Sequence, residues 1–126
     1  MRKIKYVKNP EFINGIKVIN SPYLAIAMLN NGIELARFEF GNSMSPKLLS
    51  GEYCILKPLK NGEEANVGDA VFCKVNGIVM THMVLSKKNK DSKVEYLISD
   101  TYGNIYGWTS EIYAIAHGTN VLEKEN

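Results

Sequence analysis

The spacing of apolar and polar residues divides the chain into a short helical lead-in and a longer strand-rich part. Ser21 and Pro22 precede the apolar run 23–29, and this order predicts a helix start with Ser as N-cap and Pro at the first helical position. Asn30-Asn31-Gly32 is typical of a helix stop. The helix is therefore expected to be about two turns long.

From residue 33 onward, short apolar runs bounded by turn residues predict five to seven strands. Asn76-Gly77 is a strong hairpin signal, because a two-residue type I′ turn needs positive φ at both positions. The lysine-rich stretch 87–93 is expected to be a charged loop at a hairpin tip, and 103–108 a turn-rich segment. The strands are expected at 33–40, 52–57, 69–75, 78–85, 94–98 and 112–116.

These elements predict a mainly β protein: a folded-over antiparallel β structure with one short N-terminal helix. At 126 residues, we expect a single domain over 1–126. Within it, 1–32 forms the lead-in with the helix, 33–118 the β core and 119–126 a tail.

Charge and cysteine content limit the kinds of partner and ligand that we expect for this protein. The formal net charge is only +2, so no nucleic acid is expected. Cys54 and Cys73 lie in apolar runs and are interpreted as small buried hydrophobic residues, with a disulfide as the alternative. The sequence has no Cys-x-x-Cys or Cys/His cluster, so we expect no metal and no cofactor.

The basic start of the chain is not followed by an apolar stretch, and no signal peptide is predicted. The run 23–29 is too short to cross a bilayer, so we expect no transmembrane segment. Together these features lead us to expect a soluble, cytoplasmic protein.

A candidate nucleophile follows the strand predicted at 33–40. Gly41 lets the backbone turn sharply, and a serine directly after the turn, Ser43, can expose its hydroxyl. The backbone N–H groups of Asn42 and Ser43 could then stabilise an oxyanion. Taken alone, a serine in a loop is more often a turn or capping residue.

The motifs Gly41-x-Ser43-Met44-x-Pro46, Gly51-Glu52 and Gly68-Asp69-Ala70-Val71 occur in this order. Together they resemble the signature of the signal-peptidase and LexA-type serine peptidase superfamily, over roughly residues 38–118. The resemblance implies that Ser43 is the nucleophile and that Gly68-Asp69-Ala70-Val71 begins a core strand.

In the bacterial members, a lysine on the following strand is the general base. Here His82 takes that position, as in the archaeal and endoplasmic-reticulum signal peptidases, and histidine suits the role because its pKa lies near neutrality. Strand alternation places Met80, His82 and Val84 on one face. The alternative is a structural histidine.

The resemblance also implies an acidic residue near the base. Asp100 in Ile98-Ser99-Asp100-Thr101 is the candidate that would orient His82, although Ser99 and Thr101 replace the Gly and Asn of the family pattern. An Asx-turn aspartate at the end of a strand is an equally good interpretation.

The segment 102–109 resembles small phage-encoded or mobile-element members of this superfamily. Tyr106 stands where those members carry Asn, and the aromatic residues of the segment could wall a substrate groove. A packing role is the more common one for Trp108, and we assign no catalytic role to His117.

The sequence therefore predicts a soluble serine endopeptidase acting on a protein or peptide substrate. Two alternatives stay open: a catalytically inactive peptide-binding or regulatory module on the same fold, and a protein that cleaves itself once. LexA-type relatives often dimerise, so a homodimer is an open expectation.

Overall fold

A computed structural model describes residues 10–38 and 52–118 of the chain. The described part contains one helix and nine strands. In chain order they are β1 Phe12–Ile13, β2 Ile16–Lys17, α1 Pro22–Asn30, β3 Leu35–Phe38, β4 Tyr53–Pro58, β5 Ala70–Val75, β6 Ile78–Lys90, β7 Lys93–Ser99, β8 Ile105–Thr109 and β9 Ile112–Gly118.

Seven strands form one sheet in the order β3-β4-β9-β5-β6-β7-β8, and β1 and β2 form a separate small hairpin. Every strand pair is antiparallel. The expectation of a mainly β, antiparallel protein with one short N-terminal helix is confirmed for the described residues. None of the helical structure at 10–38 and 52–118 is long and apolar enough to cross a membrane.

Helix α1 begins and ends where the sequence predicts. The Ser21 side chain accepts a hydrogen bond from the Leu24 N–H, and Pro22 occupies the first turn. Gly32 follows the helix with a φ of 79° and donates to the Leu29 carbonyl. Buried Ala25 and Leu29 attach the helix to one face of the sheet.

The two faces of the sheet carry separate apolar clusters because side chains alternate along each strand. On β5, Phe72 packs with the helix side, whereas Val71 and Cys73 pack on the other. Cys54 lies on the helix side, and both cysteines are buried and not joined in a disulfide. The buried interpretation is thus confirmed. Burial raises the pKa of the Cys73 thiol to about 12, so it stays protonated.

The Asn76-Gly77 hairpin is confirmed, with φ values of 49° and 82°. The prediction of a charged loop at 87–93 is wrong, because β6 continues to Lys90 and β7 starts at Lys93. Asp91 and Ser92, with φ values of 50° and 66°, close a second two-residue turn. The lysines therefore lie on a hairpin arm whose end is exposed on both faces.

The segment expected to be turn-rich, 103–108, contains the edge strand β8. Its pairing with β7 shifts by a bulge between Ile98 and Ser99. Gly107 lies directly against the end of β5: a Cβ at this position would be 3.2 Å from Val75 Cγ1. The sheet therefore curls so that its edge strand lies next to a central one.

Candidate functional site

His82 lies on β6, opposite Val71 of β5, and is half-buried. Met80 and Val84 pack into the cluster on the same side of β6, and Val79 and Met83 pack with the helix side. The alternation predicted for this strand is confirmed. The imidazole is thus carried by a central part of the sheet and not by a loop.

Tyr106 of β8 covers one side of the imidazole. The two ring centroids are 4.3 Å apart, and the ring planes differ by only 7°. This parallel stacking depends on the curl of the sheet, since β7 lies between β6 and β8 in the hydrogen-bonding order. The bulge beside Ser99 falls next to Tyr106 in the β7–β8 ladder.

Asp100 follows β7 directly and is buried, with only 3% of its surface exposed. Its Oδ1 accepts hydrogen bonds from the backbone N–H groups of Tyr102, at 2.9 Å, and Asn104, at 3.0 Å. Its Oδ2 accepts from Asn104 Nδ2 at 2.8 Å and from the Tyr106 hydroxyl at 3.3 Å. The hydrogen bonds match the Asx-turn interpretation.

The His82 Nδ1 atom is buried and has no hydrogen-bond partner within the described residues. A direct bond from this nitrogen to Asp100, as in a catalytic triad, is therefore not formed there. Burial lowers the pKa of His82. Asp100 acts on the ring through its negative charge, which raises this pKa and partly opposes the effect of burial. The catalytic role of Asp100 stays a prediction.

The charge state of the cluster follows from these contacts. Hydrogen bonds from Asn104, and then from Tyr102 and Tyr106, hold the pKa of Asp100 below its ordinary value, against the opposing effect of burial. Burial and the neighbouring carboxylate raise the pKa of Tyr106. At neutral pH the cluster thus contains a neutral imidazole, a carboxylate and a protonated phenol.

The predicted nucleophile Ser43 and the predicted oxyanion donors of Asn42 and Ser43 lie outside the described residues. The last described residue before them, Phe38, pairs with Tyr53 across β3 and β4. The two rings are 5.0 Å apart in an edge-to-face contact. The dyad of Ser43 and His82 therefore stays a prediction.

A second aromatic residue of β8, Trp108, lies outside the His82 cluster. The residue is 39% exposed, and the Lys88 ammonium lies 4.1 Å above the centroid of its ring. Trp108 was expected to have a packing role, and its ring packs against Lys88 in a partly exposed cation–π contact on the hairpin arm.

A cavity of about 490 Å³ opens beside the helix and not beside the His82 cluster. The Arg37 guanidinium lies 4.9 Å above the Phe72 ring in its wall. Its lining includes neither His82 nor Asp100. The candidate site is therefore the cluster around His82, and the cavity is not part of it. The cavity is lined by Pro22, Tyr23, Arg37, Phe38, Phe72, Gly77, Ile78, Val79, Met80 and Thr81.

Two members of the cluster were not assigned these contacts by the sequence. Tyr106 was considered only as one of the aromatic residues that could wall a groove, and its stack on His82 was not predicted. Asn104, the main partner of Asp100, received no role. The spacing Asp100-x-Tyr102-x-Asn104 is compatible with an Asx turn and could have indicated the second contact. No local signal links Tyr106 to His82.

No group of three or more His, Cys, Asp or Glu side chains in the described ranges is placed to hold a metal ion. Comparison of the chain with protein-family models, with curated proteins and with solved structures found no match.

Proposed function

We propose that the protein is a serine endopeptidase of the signal-peptidase and LexA type, with Ser43 as nucleophile and His82 as general base. The observation that carries the proposal is the state of His82. It is a half-buried imidazole whose pKa is lowered by burial, set on the long strand β6 beside a carboxylate. A neutral imidazole is the form that can accept a proton from serine.

In the proposed reaction, Ser43 Oγ attacks the carbonyl carbon of a peptide bond while its proton moves to His82. The N–H groups of Asn42 and Ser43 stabilise the negative oxygen of the tetrahedral intermediate. The imidazolium then donates its proton to the departing amine, leaving an ester on Ser43. Water, activated by His82, hydrolyses that ester and restores the serine.

The proposal sets a demanding condition on the chain between Phe38 and Ser43. Phe38 pairs with Tyr53 on β4, whereas His82 lies in the row of Lys57, so four strand spacings and four residues along the strand separate Phe38 from His82, about 23 Å in a flat sheet. Ser43 follows Phe38 by five residues, which can span up to about 17 Å. The proposal therefore requires this stretch to run towards His82, with the two side chains and the curl of the sheet closing the remaining distance.

A fluorophosphonate probe tests the proposal without knowledge of the substrate. A serine oxygen bonds to phosphorus, fluoride leaves, and the base takes the serine proton. We expect mass spectrometry to find the label on Ser43 and Ser43→Ala or His82→Gln to abolish it. Ser45→Ala and His117→Gln are the matched controls and should label like the wild type. A label that persists in Ser43→Ala would overturn the proposal.

One observation favours a second function, a catalytically inactive peptide-binding module on the same scaffold. Both oxygens of Asp100 accept hydrogen bonds from its own turn and from Tyr106, and His82 Nδ1 lacks an acceptor in the described part. An extended peptide would then bind by adding a strand to the sheet. This function predicts peptide binding without turnover, unchanged by Ser43→Ala.

A further inference from the structure

The His82 imidazole needs to be held in place by something other than an acceptor on Nδ1. In a Ser-His-Asp triad, a carboxylate bonded to the second ring nitrogen fixes the orientation of the ring. Here Nδ1 is buried and has no partner among the described residues. The ring is instead stacked in parallel against Tyr106, at 4.3 Å between centroids.

Tyr106 is itself fixed at its far end. Its hydroxyl donates a hydrogen bond to Asp100 Oδ2 at 3.3 Å. That carboxylate cannot swing freely, because three further hydrogen bonds from Tyr102 and Asn104 hold it in the turn. The next residue, Gly107, lies against Val75 and Asn76 of the central hairpin. The tyrosine ring is therefore held by its hydroxyl and by its backbone.

We propose that Tyr106 is the positioning residue of His82, and that Asp100 helps to orient the imidazole through Tyr106 instead of by a direct hydrogen bond. This inference rests on the proposed function of His82 as general base. Tyr106 does not contact the reacting atoms; it restricts the ring to one plane, and the turn of Asp100 and Asn104 anchors the tyrosine.

The same stack favours the protonated imidazole that forms during the reaction. A cation is attracted to the face of an aromatic ring. A phenol that donates to a carboxylate carries more electron density in its ring, which strengthens this attraction. Since burial and Asp100 raise the pKa of Tyr106, the phenol keeps its proton and can remain the donor.

The test compares Tyr106→Leu, which removes the aromatic ring, with Tyr106→Phe, which keeps the ring and loses only the hydroxyl. The first readout is the rate of Ser43 labelling by a fluorophosphonate. Tyr106→Leu should slow labelling by about 10- to 100-fold, because a misplaced base loses its alignment with the nucleophile. Tyr106→Phe should slow it by only a few-fold. Tyr23→Leu, which removes an exposed tyrosine from α1, should label at the wild-type rate.

The second readout is the NMR signal of the His82 ring protons in the Ser43→Ala protein. The chain has only two histidines, so His117→Gln assigns the signals. A stacked tyrosine shifts the ring protons upfield. Tyr106→Leu should remove this shift and Tyr106→Phe should keep it, with the overall fold confirmed by circular dichroism.

The outcomes separate the two proposals. If wild-type Ser43 is not labelled, the serine peptidase and the positioning role fall together, whatever the NMR shows. If Ser43 labelling depends on His82 but Tyr106→Leu labels at the wild-type rate, only the positioning role is overturned. Equal loss in Tyr106→Leu and Tyr106→Phe would instead assign the effect to the hydroxyl and overturn the stacking argument.

Discussion

Thr109 joins the edge of the sheet to its centre: its hydroxyl donates a hydrogen bond to the Lys74 carbonyl at 2.6 Å. The same oxygen accepts a hydrogen bond from the Glu111 N–H at 2.9 Å. Thr109 is the last residue of β8 and Lys74 lies in β5, and two strands lie between them in the sheet order. This side chain therefore helps to hold β8, and with it Tyr106, beside β6.

Thr109→Val tests this bridge, because valine keeps the shape of threonine and removes both hydrogen bonds. Thr109 is only 8% exposed, so the Glu111 N–H and the Lys74 carbonyl lose a partner in a partly buried place. We expect the free energy of unfolding, measured with urea, to fall by about 1–3 kcal/mol. Thr109→Ser keeps the hydroxyl and should retain most of the stability. A larger loss in Thr109→Ser than in Thr109→Val would show that the methyl group, not the hydrogen bonds, is what matters.

Gly107 provides a second test of the contact between β8 and β5. Its φ of 138° disfavours any other residue, and an added Cβ would lie 3.2 Å from Val75 Cγ1 and 3.3 Å from Asn76 Nδ2. We expect Gly107→Ala to lower the free energy of unfolding by about 1–3 kcal/mol.

Gly62→Ala is the control for Gly107→Ala, because Gly62 also has positive φ, 82°, but no atom within 4 Å of an added Cβ. It should cost less than Gly107→Ala, since only the backbone conformation is strained. If both substitutions cost the same, the close approach to Val75 contributes nothing.

Local sequence signals predicted the elements that depend on local chemistry. Ser21-Pro22 fixes the helix start, and Asn76-Gly77 fixes the central hairpin, because each signal acts within a few residues. The lysines of β6 and β7 were mistaken for a loop because the end of that arm is exposed on both faces and lacks an apolar pattern.

The sequence named His82 and Asp100 as site residues, but it did not predict their contacts. His82 and its face followed from strand alternation. Strand β8 contains Gly107 and begins shortly after Gly103. Because both glycines indicate turns, the sequence did not predict a strand here, and only the pairing with β7 identifies it. The stack of Tyr106 on His82 results from the curl of the sheet, which no short sequence pattern specifies.

The carboxylate of Asp100 predicts an acid-sensitive contribution to stability. Its folded pKa is lowered, first by the Asn104 side chain, from an ordinary value of 3.8. The stabilisation is therefore fully present above pH 3.8 and is lost as the pH falls through the lower folded value. Asp100→Asn should be less stable than the wild type at pH 7, and the difference should shrink towards pH 2.5 in urea unfolding.

Asp91→Asn is the control for Asp100→Asn, because it removes a carboxylate from an exposed turn. Its difference from the wild type should stay small across the same pH range. A gap between wild type and Asp100→Asn that stays constant down to pH 2.5 would contradict the role of the four hydrogen bonds.

The burial of His82 predicts a second pH dependence, at higher pH. Its folded pKa is lowered from 6.5, chiefly by burial. Just below pH 6.5, His82 is therefore protonated to a larger extent in the unfolded chain than in the folded protein. The unfolded state then binds more protons, and stability rises with pH across this window. We expect the melting temperature of the wild type to fall as the pH is lowered from 7.5 through 6.5 and below.

His82→Gln removes the titrating ring, and its melting temperature should lose this part of the pH dependence. His117→Gln, at an exposed position, should follow the wild type. When the chemical shifts of the His82 ring protons are followed by NMR as a function of pH, their titration midpoint should lie below 6.5, in agreement with the thermal data. A midpoint at or above 6.5 would mean that the Asp100 charge outweighs burial, and at neutral pH a larger fraction of the imidazole would then be protonated and unable to act as a base.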